Sequence, residues 1–331
     1  MMRDGVGLEG GEKAHVSAIV VTYFTGPVLA RSIASLKEQP DVSEIIIVDN
    51  GNWRDAVIRA AVPDEAGPTV SIVSGHGNIG FAAACNLGAA KASGSHLLFL
   101  NPDAILPAGS VARFLDGSRD QEGPWMAGAK LVGLDGIEQS GARRHTLTPW
   151  RALVEATKLY RIAPKHPYFR RFNMHNDPCP GAACPVPTIS GACFMIPTVD
   201  YHLIDGMDEA YFLHVEDIDF CLRFAEAGGT VLYNPTVEVL HFKGSSRTHK
   251  TNIEFHKTRG MQNYFRRHFA GVYPPLFLPF VNMLLWGRFG ALAVGDAAMR
   301  TLSFIGLRQR KGKPALTKAR AFAAQREHRG R

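Results

Sequence analysis

The sequence predicts an α/β chain built on a mostly parallel, doubly wound sheet flanked by helices. Three observations carry this. The runs Val16-Ser17-Ala18-Ile19-Val20-Val21-Thr22-Tyr23, Glu44-Ile45-Ile46-Ile47-Val48 and His96-Leu97-Leu98-Phe99-Leu100 are apolar with little polar alternation, as strands buried on both faces are. The first two are separated by a helical pattern, and a strand, helix, strand order implies a parallel crossover. The last two stop at turn residues, Asp49-Asn50-Gly51 and Asn101-Pro102-Asp103. In open α/β sheets ligands gather outside the carboxyl ends of the strands, so Thr22, Tyr23, Asp49, Asn101 and Asp103 stand where a site forms.

In order, the first strand is closed by Gly26-Pro27, and Leu29, Ile33 and Leu36 mark one face of a helix from Val28 to about Glu38. Asp49, at the end of the second strand, suits hydrogen bonding to a base or ribose; an Asx turn with Gly51 suits it equally. A third short strand, Val70 to Val73, leads into glycines 75, 77 and 80, which match the spacing of a dinucleotide fingerprint. That fingerprint belongs after a first strand, so the better reading is a helix packed closely through small residues from Gly80 to Ala84, with Asn78 and the loop backbone facing a nucleotide. Asp103, on a bend fixed by Pro102, is a hard-oxygen donor suited to Mg2+ or Mn2+, or simply part of a turn. A helix over about Gly109 to Leu115 and a strand over Met126 to Val132 follow. The polar run Gln139 to Arg144 comes next, then an irregular segment from Leu147 to Pro187 rich in Pro, His and Arg, the composition of a lid or acceptor-recognition insertion.

A second block opens at Ile189 to Ile196, read as one buried strand entered through small residues, Gly191 among them. Glu216, Asp217 and Asp219 then crowd the start of a helix that ends at Gly228-Gly229. One or two acids there only complement the helix dipole, but three in four residues repel one another, which favours a chemical role, with Asp217 the general-base candidate. Two strands are expected next, Thr230 to Tyr233 and Val237 to Phe242. The second delivers His241 before Lys243-Gly244-Ser245-Ser246, a loop able to offer donors to a diphosphate.

The formal charge of +7 is not a nucleic-acid signal, because residues 300–331 hold ten Lys or Arg against one acid and the remainder is near neutral. Five scattered cysteines fit reduced thiols; Cys179 and Cys184 with His175 lack the spacing of a structural zinc site. The first 14 residues show no secretory pattern, so cytoplasmic residence is expected.

These blocks together resemble family 2 inverting glycosyltransferases of the GT-A fold, in the bacterial surface-polysaccharide and rhamnosyltransferase-like branch. The resemblance runs from about Val16 to Tyr264 through VVTY (20–23), VDNG (48–51), GNIGFAAACNLG (77–88), NPDA (101–104), SGACFMI (190–196), MDEAYFLHVEDIDFCLR (207–223) and HFKGSS (241–246). It implies a Rossmann-like nucleotide-binding sheet and transfer from a nucleotide-sugar to a glycan acceptor. Asp49 is implied to contact the base, helped by Thr22, Tyr23 and Asn78, with Gly80, Asn101 and Gly191 along the nucleotide-sugar. Asp103 and His241 are implied ligands of Mg2+ or Mn2+, Asp217 the base, and Glu216 a neighbour of acceptor or sugar. The chain departs at Asn101, where the full motif has an aspartate, and after VDNG, where Asn52-Trp53 replace polar residues.

The implied organisation is a flexible N-terminus (1–14) and a transferase domain (15–268) with a nucleotide-sugar half (15–132) and a catalytic half (133–268). An apolar segment (269–299) and a basic tail (300–331) follow. In the apolar segment Pro274, Pro275, Pro279 and Arg288 argue against a membrane span and for a helix on an anionic membrane surface, where a lipid-linked acceptor lies, or packed on the body. A non-catalytic nucleotide-sugar-binding or polysaccharide-binding regulator is the alternative, and a nucleotidyltransferase, without a lysine-bearing glycine loop, a weaker one.

Overall fold

The computed structural model describes residues 14–51, 57, 67–163, 166–244 and 249–304. The N-terminal stretch to residue 13, Asn52-Trp53, Ser245-Ser246 and the tail beyond 304 lie outside them.

Three parallel strands, β1 (Val16–Thr22), β2 (Val42–Asp49) and β3 (Thr69–Val73), form one side of the sheet, with helix α1 (Val28–Lys37) between the first two. Helix α2 (Phe81–Ala89) lies against β1 and β2. Its buried face is Ala82, Ala84, Cys85, Gly88 and Ala89, and a Cβ on Gly88 would come within 2.6 Å of Ile19. The expected small-residue packing is therefore what brings this helix down onto the sheet.

Beyond β1 come β4 (His96–Leu100), the short β5 (Ala104–Ile105), α3 (Ser110–Gly117) and β6 (Trp125–Val132). The short strand β7 (Arg143–Arg144) leads into the segment 147–187. Helix α4 (Pro149–Thr157) starts there because Thr148 caps it and Pro149 occupies its first turn. After β8 (Cys184–Pro185), the run expected as a single strand from Ile189 to Ile196 is divided. β9 (Thr188–Ile189) pairs antiparallel with β7 in a separate ribbon, and β10 (Cys193–Pro197) joins the main sheet antiparallel to β4 and β6. The break falls at Ser190-Gly191-Ala192, where small residues let the chain turn against Asp217.

Helices α5 (Thr198–His202) and α6 (Glu216–Glu226) lead to β11 (Thr230–His241), one strand where two were expected. Pro235 sits in a register shift between Asn234 and Glu238, so its missing N–H removes no ladder bond and the strand continues. The main sheet runs β3-β2-β1-β4-β10-β6-β11-β5, with β8 on β11. Its core includes Phe99 stacked on Phe194, centroids 4.6 Å apart.

Helices α7 (Lys250–Phe269) and α8 (Phe277–Phe304) close the chain around a second apolar cluster containing Leu147, Val215, Ile218, Tyr264, Val281 and Leu285. The expected breakage of the apolar segment does not occur. Pro274 and Pro275 precede α8 and Pro279 lies in its first turn, where no N–H is needed, so Phe277–Met299 is one helix long and apolar enough to cross a membrane. Its two charged residues both turn toward α7: Arg288 pairs with Glu254 at 2.5 Å, and Asp296 accepts from Thr251 at 2.7 Å.

Candidate active site

Strands β1, β2, β4, β6 and β11 all run the same way, so their carboxyl ends share one edge of the sheet, and antiparallel β10 begins at that edge. The topology thus gathers Thr22, Asp49, Asn101, Asp103, Gly191 and His241, residues up to 219 positions apart in the chain.

On the nucleotide side, Asp49 is half-buried, and its Oδ1 accepts the Gly51 N–H at 3.0 Å. The Asx turn and the site position are thus the same feature. The Thr22 hydroxyl turns inward to Thr25 at 2.8 Å, so only its backbone belongs to the edge. Tyr23 lies edge-on to Phe24 beside Gly51. Asn78 is exposed and caps its own loop, accepting the Gly80 N–H at 3.2 Å. Gly80 has φ +91°, and a Cβ there would meet the Phe212 carbonyl at 2.7 Å. With Phe81 N–H donating to that carbonyl at 2.8 Å, this contact ties the nucleotide side to the loop that precedes the acids.

Asp103 and His241 are brought together because β5 pairs with the end of β11. Asp103 Oδ1 lies 3.2 Å from His241 Nε2, and both residues are buried. Gln139 decides which ring nitrogen carries the proton. Its NH2 donates to the carbonyls of His241 (2.7 Å) and Val132 (3.2 Å), so its oxygen faces His241 Nδ1 at 3.0 Å, which carries a hydrogen. Nε2 is thereby turned toward Asp103 and Asn101. One carboxylate and one imidazole, with Asn101 3.5 Å from Nε2, fit Mg2+ or Mn2+ that fills its shell with substrate phosphates and water. Among the described residues no cluster of three or more His, Cys, Asp or Glu could hold an ion unaided.

The acid block separates into three roles. Asp219 is fully buried and saturated by Arg223 (2.7 Å), His268 (2.7 Å) and Tyr211 (3.1 Å), so it anchors α6 to the second apolar cluster. Asp217 Oδ2 accepts from Arg144 at 2.6 Å and from the Gly191 N–H at 3.1 Å; neither bond uses Oδ1. Burial works against the Asp217 charge, but Arg144 and the Gly191 N–H hold its carboxyl below the ordinary value. Glu216 is buried with no hydrogen-bond partner on Oε2 among the described residues. Burial, then the Asp217 charge, pushes it up to about 8. Arg144 grips Asp217 and not Glu216, so the pair favours ionisation at Asp217 and opposes it at Glu216. Both are aimed by His214 and Val215, two left-handed residues at φ +65° and +76°, a conformation that a β-branched residue holds only under strong packing.

Sequence reasoning missed Arg144, Gln139 and the support that Gly191 lends to Asp217. The available signal was Arg143-Arg144 inside a polar run: two adjacent arginines, both buried here, need acids, and with Glu138 close by for Arg143 the partner of Arg144 has to come from elsewhere in the fold.

Residues 17–123 match the family model described as glycosyl transferase family 2. The chain is 28% identical over 243 residues to an N-acetylglucosaminyl-diphospho-decaprenol L-rhamnosyltransferase of Mycobacterium tuberculosis, covering 69% of this chain and 76% of that one. It is 22% identical over 234 residues to the rhamnosyltransferase WbbL of Escherichia coli, covering 69% and 83%. Among solved structures it is similar in fold to a Pyrobaculum calidifontis mannosyltransferase in complex with GDP-Man and Mn2+ (TM-score 0.53, 16% identity, 95% of this chain and 81% of that one). It is also similar to GalNAc-T7 with UDP, GalNAc and Mn2+ (TM-score 0.57, 16% identity), where it covers 78% of its own length and spans about half, 48%, of the neighbour.

Proposed function

We propose that this chain, a family 2 glycosyltransferase of the rhamnosyltransferase-like branch, moves a sugar from a nucleotide-sugar donor, dTDP-rhamnose or a UDP-sugar, to a hydroxyl of a lipid-linked surface polysaccharide precursor, inverting the anomeric carbon. The observation that carries the mechanism is the division of labour at Asp217: Oδ2 is held by Arg144 and Gly191, while Oδ1 has no hydrogen-bond partner among the described residues. Oδ1 takes the proton of the acceptor hydroxyl as that oxygen attacks from the face opposite the leaving nucleoside diphosphate. Arg144 keeps the base ionised. Glu216, neutral beside it, adds no competing charge. Asp49, the Thr22-Tyr23 backbone and Asn78 hold the nucleotide. Asp103 and His241 would hold Mg2+ or Mn2+, which when bound would supply positive charge to offset that building on the leaving diphosphate.

The work is done at the inner face of the cytoplasmic membrane. Supporting this, the outward residues of α8 at 280, 283, 287, 291, 294 and 298 are Phe, Met, Gly, Ala, Val and Ala, an uncharged stripe at helical spacing. The inward face is fastened to polar α7 through Arg288 and Asp296, which favours lying in the interface over spanning it.

The test is release of nucleoside diphosphate from dTDP-, UDP- and GDP-sugars with a membrane extract as acceptor, with and without EDTA, in wild type and Asp217→Asn. Metal-dependent turnover of one donor that is lost in the variant supports the reading. Saturable donor binding with no turnover by wild type replaces it with a non-catalytic binding protein.

A further inference from the structure

The segment 147–175 carries six Lys or Arg and one acid, Glu155, and that acid is taken by Arg171 at 3.3 Å. Two arginines of this segment, Arg151 and Arg170, converge beside His145, whose one acidic neighbour is Asp177. His145 is fixed beside residues 170–172 by its N–H bond to the Phe172 carbonyl (2.9 Å). Arg151 projects from the first turn of α4, half-buried, and donates to the Thr146 carbonyl, its one acceptor among the described residues. Arg170 is exposed and has no ion-pair partner among the described residues. Burial and then the neighbouring arginine charges lower the proton affinity of His145, against the pull of Asp177, and burial and then Arg170 lower that of Arg151. Converging cations of this kind are favourable only when an anion joins them.

Their location says which anion. Toward the candidate base, the Arg144 guanidinium that grips Asp217 lies over the Phe172 ring, 5.6 Å from its centroid, and Phe172 is bonded to His145. Away from the base, α4 packs on α8 and the Arg151 charge feels Tyr273, which stacks on Phe277 at 4.8 Å where α8 begins. The outward apolar residues Leu276, Phe280 and Met283 continue from there. Base, cation cluster and apolar stripe thus follow one another.

We propose that Arg151, Arg170 and His145 form the site for the diphosphate of a lipid-linked acceptor, with its first sugar reaching Asp217 and its prenyl chain running onto the outward face of α8. This deepens the transferase reading and rests on it for the sugar end alone.

The test separates the two. Binding of farnesyl diphosphate to the full chain, followed by titration calorimetry with no donor present, reads the cluster without any transfer. Arg170→Gln, at an exposed position that leaves the fold intact, and Arg151→Gln each weaken it about tenfold or more. Arg170→Lys restores most of the affinity, and Lys91→Gln, on the far side of the sheet, leaves it unchanged. In the transfer assay the same variants raise KM for farnesyl-diphospho-N-acetylglucosamine and leave KM for octyl N-acetylglucosaminide as it was. Unchanged farnesyl diphosphate affinity in both glutamine variants overturns the proposal. So does a loss confined to binding of phosphatidylglycerol vesicles, which makes the cluster a bilayer contact. Absence of transfer to either acceptor with intact farnesyl diphosphate binding removes the transferase reading and keeps the site.

Discussion

Replacing Arg144 with Gln removes the charged partner of the candidate base while keeping a polar, uncharged side chain. In the native site the guanidinium lies 2.6 Å from Asp217 Oδ2, with the two side chains only 10% and 16% exposed. At an effective dielectric near 20, opposite charges about 4 Å apart interact by roughly 4 kcal/mol, and a pKa unit corresponds to about 1.4 kcal/mol, so the loss is of the order of 1–3 units. Burial, then opposed only by the Gly191 N–H and His214, pushes Asp217 upward. The measurement is kcat/KM for sugar transfer against pH, whose acid limb reports the free enzyme's base. That limb moves up by about 1–3 pH units in Arg144→Gln, while the rate on the alkaline plateau changes much less. Breaking a buried pair also destabilises by about 3–5 kcal/mol, so a thermal melt accompanies each profile. Arg144→Lys, which keeps the charge, holds the limb near its wild-type position and guards against a variant that does not fold. An acid limb that stays in place in a folded Arg144→Gln protein refutes the assignment of Asp217 as a base tuned by Arg144.

Two further outcomes follow from the site. The Glu216 carboxyl is raised on folding, so its contribution to stability is complete below pH about 4.5, its ordinary value, and is lost as pH rises through about 8; Glu216→Gln therefore flattens the fall in melting temperature between pH 5 and 8, and an unaltered slope contradicts a buried, neutral Glu216. Gln139→Leu leaves the His241 ring unoriented and weakens Mn2+ binding by about 10–100-fold, read by the loss of the free-ion paramagnetic signal on titration, whereas full Mn2+ affinity in that variant shows that Gln139 does not set the ring.

Most of the strands were legible because a parallel sheet buries both faces, and long apolar runs such as Ile45 to Val48 have no other stable place in a chain of this composition. Turn chemistry at Asp49-Asn50-Gly51 and Asn101-Pro102-Asp103 then located the carboxyl edge, and three acids in four residues marked the start of α6. Local pattern could not divide those acids. Asp219 and Asp217 differ only in what reaches them: Arg223, one turn along the same helix, and His268 from α7 saturate the first, while Arg144, 73 residues earlier, holds one oxygen of the second. Nor could it say that Pro235 falls at a bulge or that Pro279 sits where a helix needs no N–H, since both depend on register rather than residue type. The same limit hid Gln139, whose amide matters only because β11 carries His241 to it. The sequence by itself determined which residues stand at the ends of strands and helices, because that is fixed by short-range periodicity. Only the tertiary structure decided which of them are free to act on a substrate, because that depends on charges and hydrogen-bond partners supplied from distant parts of the chain.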